Sequence, residues 1–289
     1  MCAVVTGLAA LLAPAGSSAG AASARPVIAF GSERGGPVQI HVLGFTPGVQ
    51  RVLRSGSPGT DVEPSWAPDG RHLAIATSDA TGQDFDIAIV AAHGPGRMRV
   101  TGGAAWDEEP AWSPDGRWIA FASDRTGSFD IYVIHPDGTG LRRLTSSPCE
   151  DTEPSWAPDG SRIAFTSRRG GYPHVWTMGA DGKRERRLVR SPSSSPAWSP
   201  DGKTLAFVSD RDGDREIYTV GADGHGITQL TENDAVTDES PTWSPDSSLL
   251  AFSSDRGGNA DIFEMRADGS AAHVLVSDVW TDDAPAWRP

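Results

Sequence analysis

A Pro-x-Trp tripeptide recurs at a near-constant interval along the chain, and this periodicity restricts the fold more than any other feature of the sequence. Its tryptophans stand at positions 66, 112, 156, 198, 243 and 287, so successive copies are 46, 44, 42, 45 and 44 residues apart. Most copies run into a Pro-Asp turn and an apolar segment, as in Glu109–Ser123, EPAWSPDGRWIAFAS. A repeat of this length that carries several turn signals is typical of one blade of a β-propeller.

Each unit contains four segments that read as strands. The Pro-x-Trp segment is followed by a turn such as Pro114–Gly116, in which proline and aspartate favour the corner and glycine permits the left-handed exit. An apolar strand (Ile119–Ala122), a polar hairpin and an alternating strand (Ile131–Val133) come next. A second Asp-Gly turn then leads to a short strand that ends near Leu144. The pattern predicts a four-stranded antiparallel blade.

The first and last units are incomplete in complementary ways. The segment Val27–Phe30 reads as a second strand with no Pro-x-Trp strand before it, and the final copy, Pro285–Trp287, has only that strand. Pairing the two would complete a sixth blade and leave no unpaired sheet edges at the seam. We therefore expect an all-β, six-bladed propeller over residues 25–289, closed by its C-terminal strand on its N-terminal strands, as a complete ring and a monomer.

The repeats resemble those of the TolB family, whose six-bladed propeller is built from WD40-like PD40 repeats that read P-x-W-S-P-D-G-x-x-I-A-F-x-S-x-x-x-G-x-x-x-I-Y. Pro110–Tyr132 follows this pattern almost throughout, and the resemblance extends over residues 25–289. It implies that the Pro-x-Trp strand is the innermost of each blade. The family's namesake carries an extra N-terminal domain that works in an envelope-spanning complex. The resemblance here is to the propeller alone, since only Arg25 and Pro26 stand between the predicted signal-peptide cleavage site, after residue 24, and the first strand.

Residues 1–24 have the pattern of a signal peptide. An apolar run, Ala3–Ala13, is followed by a small-residue tail that ends in Ala22-Ser23-Ala24, which fits a cleavage site before Arg25. No Lys or Arg precedes the run, so the usual positive segment is absent. The run is too short to span a bilayer. We expect export to the periplasm or outside the cell, without membrane insertion. Beyond this segment only Cys149 remains, so the exported chain cannot form an intramolecular disulfide.

The charge of the chain restricts its partners. With a formal net charge of −13 and an isoelectric point near 4.9, it lacks the clustered basic residues of a nucleic-acid-binding surface. A basic protein segment is compatible with this charge, although acidity by itself also keeps a secreted protein soluble.

The loop before each Pro-x-Trp segment is the place to look for a site, because the same loop of every blade converges at one mouth of the central channel. An aspartate stands three residues before the proline in five units and a serine in the remaining one: Asp61, Asp107, Asp151, Asp238, Asp282 and Ser193. The residues directly before the proline are Glu63, Glu109, Glu153, Ser195, Ser240 and Ala284. A ring of carboxylates could hold Ca²⁺ or receive a basic peptide. Alternatively, each aspartate caps its own turn or accepts backbone N–H groups from the next blade, which the recurrence favours.

Departures from the repeat are the better indications of function. Trp106 and Trp280 stand just before Asp107 and Asp282, where other units have Thr60, Glu150 or Thr237. A tryptophan beside a channel mouth can anchor a partner side chain; the alternative is that each packs over its own blade. Ser193 leaves a gap in the acidic ring, which could orient an asymmetric ligand.

These observations together predict a non-enzymatic propeller that binds a protein or peptide at one channel mouth. The predicted partner-binding residues are Asp61, Trp106, Asp107, Asp151, Ser193, Asp238, Trp280 and Asp282. No catalytic residue can be named, because the seven histidines are scattered and no nucleophile–base pair or metal-ligand spacing is evident. No cofactor is predicted, with Ca²⁺ in the channel as the one candidate. The alternative function is a hydrolase or lyase with a metal ion in the channel.

Overall fold

The computed structural model describes residues 27–34, 36–46, 49–53, 59–93 and 96–289. The predicted signal peptide lies outside these ranges. Within them the chain forms six four-stranded sheets, and no helix that could cross a membrane is present. All neighbouring strands within a sheet are antiparallel. The predicted all-β, six-bladed propeller is confirmed.

The strands are numbered in chain order, and each blade is given from its inner to its outer strand. Blade 1 contains β24 (Asp282–Trp287), β1 (Ile28–Ser32), β2 (Gln39–Thr46) and β3 (Val49–Leu53). Blade 2 contains β4 (Asp61–Trp66), β5 (His72–Ser78), β6 (Phe85–Ala91) and β7 (Arg97–Arg99). Blade 3 contains β8 (Asp107–Trp112), β9 (Ile119–Ser123), β10 (Asp130–Ile134) and β11 (Arg142–Arg143).

The remaining blades repeat this arrangement. Blade 4 contains β12 (Asp151–Trp156), β13 (Arg162–Ser167), β14 (His174–Gly179) and β15 (Arg186–Arg187). Blade 5 contains β16 (Ser194–Trp198), β17 (Thr204–Ser209), β18 (Glu216–Gly221) and β19 (Thr228–Gln229). Blade 6 contains β20 (Asp238–Trp243), β21 (Leu249–Ser254), β22 (Asp261–Arg266) and β23 (His273–Val276).

Blade 1 closes the ring as predicted. Strand β24 pairs with β1 so that Trp287 lies opposite Ile28 and Ala286 opposite Ala29. The inner strands also contact one another around the ring, including β24 with both β4 and β20. The Pro-x-Trp strand is therefore innermost in every blade.

The core lies between neighbouring blades. The second strand of five blades contributes a fully buried phenylalanine, and these are Phe30, Phe121, Phe165, Phe207 and Phe252. Each packs in a cluster that combines residues of two adjacent blades, as Phe121 of blade 3 does with Ile87 of blade 2. Burying one such side chain contributes about 1.5–3 kcal/mol. The hydrophobic effect thus stabilises the blade-to-blade contacts that hold the ring together.

Inner-strand tryptophans add hydrogen bonds across the same boundaries. The indole Nε1–H of Trp66 donates to the carbonyl of Ala286 at 3.1 Å, and that of Trp156 donates to the carbonyl of Ala111 at 3.2 Å. Trp243 makes the equivalent bond to Ala197. The recurrent tryptophan is thus part of the blade-building unit.

Candidate functional site

The two ends of the propeller differ in the segments that form them. The inner strand runs from its aspartate to its tryptophan in five blades and from Ser194 to Trp198 in blade 5. Asp107 lies opposite Ser123, the last residue before the hairpin of blade 3. One end therefore carries the hairpins between second and third strands, such as residues 124–129, and the loops between blades, such as residues 144–150. We call this end the loop face. The opposite end, the turn face, carries the Pro-Asp-Gly turns.

A central cavity of 440 Å³ lies between the inner strands. The residues directly before the prolines line it in all six blades: Glu63, Glu109, Glu153, Ser195, Ser240 and Ala284. Each has a left-handed backbone conformation, with φ between 50 and 57°, and the strand pairing shifts register around this position in most blades. This conformation costs a non-glycine residue on the order of 1 kcal/mol. Its presence in every blade makes it a requirement of the architecture.

Three glutamates link successive blades from inside the channel. Glu63 Oε2 accepts the backbone N–H of Glu109 at 2.7 Å, and Glu109 Oε2 accepts that of Glu153 at 2.5 Å. Glu153 Oε2 in turn accepts the N–H of Ser195 at 2.6 Å. This glutamate arc therefore satisfies backbone donors of blades 3, 4 and 5 at places where no strand pairing crosses the boundary.

The environment of two glutamates of the arc, Glu63 and Glu109, favours their protonated forms. Burial in the channel wall raises the pKa of Glu63 to about 8. Burial, together with the charges of Glu153 and Glu63, raises the pKa of Glu109 well above its usual range. The arc is consequently less anionic at neutral pH than its composition suggests. Among the described residues, no cluster of three or more His, Cys, Asp or Glu side chains could hold a metal ion.

The predicted ring of aspartates lies at the loop-face end of the inner strands. All five side chains are buried, with residue exposures of 0–2%. Four of them form ion pairs with an arginine of their own hairpin, and the pairs are Arg34–Asp282, Arg125–Asp107, Arg169–Asp151 and Arg256–Asp238. In blade 2 the arginine position holds Ala80, and Asp61 accepts a 2.7 Å hydrogen bond from Thr77 Oγ1. Ser193 is also buried.

These contacts support the structural interpretation of the aspartates. Arg125 binds both carboxylate oxygens of Asp107, at 2.7 and 2.8 Å, so the pair fastens the hairpin to the inner strand. A charge buried in this way depends on its partner, because an unpaired buried carboxylate is costly. The aspartates shape the mouth, and direct contact between them and a partner stays a prediction.

The two predicted tryptophans are exposed on the loop face. Trp106 is 37% exposed and Trp280 is 44% exposed. Trp106 also contacts the ring of Phe85 at 5.5 Å, so one side of it packs on blade 2 while the rest remains accessible. The structure adds Tyr172, which is 68% exposed in the hairpin of blade 4. Every large aromatic residue exposed in the described ranges therefore lies on the loop face.

Sequence reasoning missed Tyr172 and the arginines. Tyr172 follows Gly170-Gly171, where the glycines indicate only a turn. The arginines lie in the polar hairpins, each as the last residue of a Ser-x-Arg tripeptide such as Ser123–Arg125. Their spacing after the second strand, the same in five blades, was the signal that could have paired them with the aspartates.

The fold and the mouth define the class: a six-bladed β-propeller with buried Asp–Arg pairs and an exposed aromatic loop face. The chain belongs to the TolB β-propeller family. The profile of the TolB beta propeller domain matches residues 9–139, 110–194 and 188–289. No functionally curated protein matches the sequence.

Solved structures resemble the chain in fold. TolB from Acinetobacter baumannii superposes with a TM-score of 0.78 at 23% identity, covering 91% of this chain and 67% of that one. A putative TolB from Agrobacterium tumefaciens gives 0.70 at 23% identity and 90% coverage of both chains. Hydrazine synthase from Kuenenia stuttgartiensis gives 0.76 at 16% identity, covering 91% of this chain and 46% of that one. At these identities the likeness shows the fold alone, and function must be argued from the site.

Proposed function

We propose that this protein is an exported, non-enzymatic propeller that binds a protein or peptide partner at its loop face, at the mouth of the central channel. One observation carries the proposal: Trp106, Tyr172 and Trp280 are exposed, and all three lie on that face. Aromatic side chains contribute disproportionately to binding energy at protein interfaces, because they bury a large area at a small cost in conformational entropy.

The channel below the aromatic residues would suit a polar segment of the partner. Its wall carries the hydroxyls of Ser195 and Ser240, which offer acceptors to a basic or hydroxylated side chain. The net charge of −13 would also draw a basic partner toward the protein.

No specific observation favours the alternative of a metal-dependent hydrolase or lyase in the channel. The carboxylates that could serve as acids or ligands are engaged by neighbouring arginines or backbone N–H groups. A calcium ion in the channel stays a prediction, which a melting experiment with Ca²⁺ and with a chelator can test.

Export rests on the sequence of residues 1–24. Intact-mass measurement of the protein recovered from an expressing cell's envelope or medium should give a chain that begins at Arg25. A mass that includes residues 1–24 would contradict export by this route.

The binding proposal is tested by capture from an envelope extract. A triple variant, Trp106→Ala/Tyr172→Ala/Trp280→Ala, should recover the partner at least about 10-fold less than the wild type, since hot-spot residues each contribute about 2 kcal/mol or more. The matched control is Leu141→Ala/Ile227→Ala, which removes exposed apolar residues from the turn face. Equal recovery by the wild type and the triple variant would contradict the proposal.

A further inference from the structure

Four blades contain an arginine that is oriented to bind a carboxylate. In blade 3, Arg125 lies over the rings of Phe121 and Tyr132, at 5.5 and 5.0 Å from their centroids, and its Nε donates to Ser123 Oγ at 2.8 Å. Its Nη2 then reaches Asp107. Two aromatic rings and a hydroxyl thus hold the guanidinium in the orientation in which it binds the acid.

Blade 6 repeats this geometry closely. Arg256 lies 5.5 Å from the ring of Phe252 and 4.5 Å from that of Phe263, and its Nε donates to Ser254 Oγ at 2.8 Å. Its Nη2 binds both oxygens of Asp238 at 2.9 Å. The same residue types at the same places therefore produce the same carboxylate-binding pose.

Blade 5 has the arginine but lacks the acid. Arg211 lies 5.5 Å from the ring of Phe207 and 4.4 Å from that of Tyr218, and its Nε donates to Ser209 Oγ at 3.0 Å. Ser193, directly before the inner strand, stands at the position that holds aspartate in the other blades. Within the described residues, the Arg211 guanidinium forms no ion pair, and the residue is exposed.

Ser193 does not replace the missing acceptor. Its hydroxyl donates to the carbonyl of Ser191 and accepts the N–H of Val175, both at 3.1 Å. The hydroxyl of Ser209 donates to the carbonyl of Pro192 at 2.6 Å. The Ser193 hydroxyl thus forms its hydrogen bonds within its own loop and with blade 4. Arg211 thus keeps the ring contacts and the Nε hydrogen bond of its counterparts in blades 3 and 6.

Nearby carboxylates limit what Arg211 can attract. The hairpin carries Asp210, Asp212 and Asp214, whose charges would repel a free anion. Asp212 Oδ2 accepts hydrogen bonds from Tyr218 Oη at 2.9 Å and from Gln229 Nε2 at 2.5 Å, so this acid is held by neutral donors. These acids reduce the affinity for a single carboxylate without occupying the Arg211 guanidinium, and further contacts of a partner would add to that affinity.

We propose that Arg211 binds a carboxylate of the protein partner, in the position that aspartate fills in the other blades. This inference rests on the proposed function. The partner's carboxylate would thus fill the gap that Ser193 leaves in the acidic ring. It is either the partner's chain terminus or an acidic side chain. The two sources share the same fork-shaped recognition by the guanidinium.

The test follows the Nε–H signal of Arg211 by NMR in isotope-labelled protein, with the signal assigned from its loss in Arg211→Lys. Three small probes are titrated: N-acetylglycine for a chain terminus, N-acetylaspartic acid amide for an acidic side chain, and N-acetylglycinamide as a neutral control. We expect at least one of the two acids to give a saturable shift of the Arg211 signal, while the amide gives none. The more effective acid identifies the source.

Two matched variants separate the site from general charge effects. Ser193→Asp restores the residue found in the other blades, so its carboxylate should form an ion pair with Arg211. This variant should lose the response to the acids and keep or raise the melting temperature. Ser194→Asp adds the same charge one residue later, at the position equivalent to Glu108 and Asp283, and should leave the response intact.

Three results would overturn the inference: no saturable shift with either acid, a response that persists in Ser193→Asp, or a lower melting temperature for Ser193→Asp than for Ser194→Asp. The probes require no partner. Failure here would leave the aromatic loop-face experiment unaffected, and failure of that experiment would leave the Arg211 response standing.

Discussion

Glu153 and Ser195 are 42 residues apart in the chain, yet they share two hydrogen bonds across a blade boundary. The backbone N–H of Ser195 donates to Glu153 Oε2 at 2.6 Å, and the Ser195 hydroxyl donates to Oε1 at 2.9 Å. No strand pairing joins blade 4 to blade 5, so these bonds tie inner strands together where the sheets end. The recurrent glutamate of the motif is thus part of the ring's construction.

Replacing Glu153 with alanine should therefore destabilise the protein by about 1–3 kcal/mol, since the Ser195 N–H keeps only its 3.2 Å bond to Thr166 Oγ1 and the hydroxyls of Ser195 and Thr166 lose their carboxylate acceptor. Glu153→Gln retains a carbonyl acceptor and should cost less. Chemical denaturation at neutral pH compares the two. If alanine and glutamine were equally harmless, the glutamate arc would not hold the blades together.

Ionisation of Glu63 should make the free energy of unfolding depend on pH. Its pKa in the folded protein is raised from about 4.5 to about 8, so the folded state holds the proton more tightly than the unfolded state does. Stability from this group is full below pH 4.5 and is lost as the pH rises toward 8. Glu63→Gln, which keeps an acceptor for the N–H of Glu109, should lose less stability than the wild type between pH 5 and pH 8.5. Chemical denaturation at both pH values measures this loss. Equal losses of unfolding free energy for the wild type and Glu63→Gln would contradict the prediction.

Breaking the buried ion pair of blade 3 should lower the free energy of unfolding more than loss of the Glu153 contacts does. Asp107→Ala leaves the Arg125 guanidinium without its carboxylate and should cost about 3–5 kcal/mol. Glu108→Ala, which removes the neighbouring carboxylate of the same strand, should cost less than about 1 kcal/mol. Urea unfolding provides the comparison. Similar losses for both variants would mean that the pair does not fasten the hairpin.

Glycine at the left-handed position should stabilise the ring. Ala284 has a φ of 50°, and Ala284→Gly should relieve that strain for a net gain of about 0.5–1 kcal/mol. Two residues later, Ala286 has no positive φ, so Ala286→Gly should destabilise by a similar amount. A melting temperature that falls for both variants would show that the backbone at Ala284 is not strained.

The fold could be predicted from the sequence because the signals that build it are local and repeated. Each Pro-Asp-Gly turn and each apolar strand is visible within a few residues of sequence. The incomplete first and last units predict that the two chain ends pair, and Trp287 does lie opposite Ile28. The mouth was also foreseeable, since the aspartates start the inner strands.

The contacts within the mouth could not be read in the same way. The partner of Asp107 is Arg125, 18 residues later, and the pairing follows from the antiparallel register that places Asp107 opposite Ser123. The glutamate arc depends on a left-handed residue before proline, for which Glu63 shows no sequence signal. The accessibility of Tyr172 depends on how its hairpin projects from blade 4.

The central claim, that a partner binds at the loop face, is tested most directly by photo-crosslinking in the cell. The photoreactive residue p-benzoylphenylalanine is placed at position 172 on the loop face or, as the control, at position 227 on the turn face, both of which are exposed. We predict a discrete crosslinked protein from position 172 that is absent from position 227. Crosslinking from position 227 with none from position 172 would contradict the account.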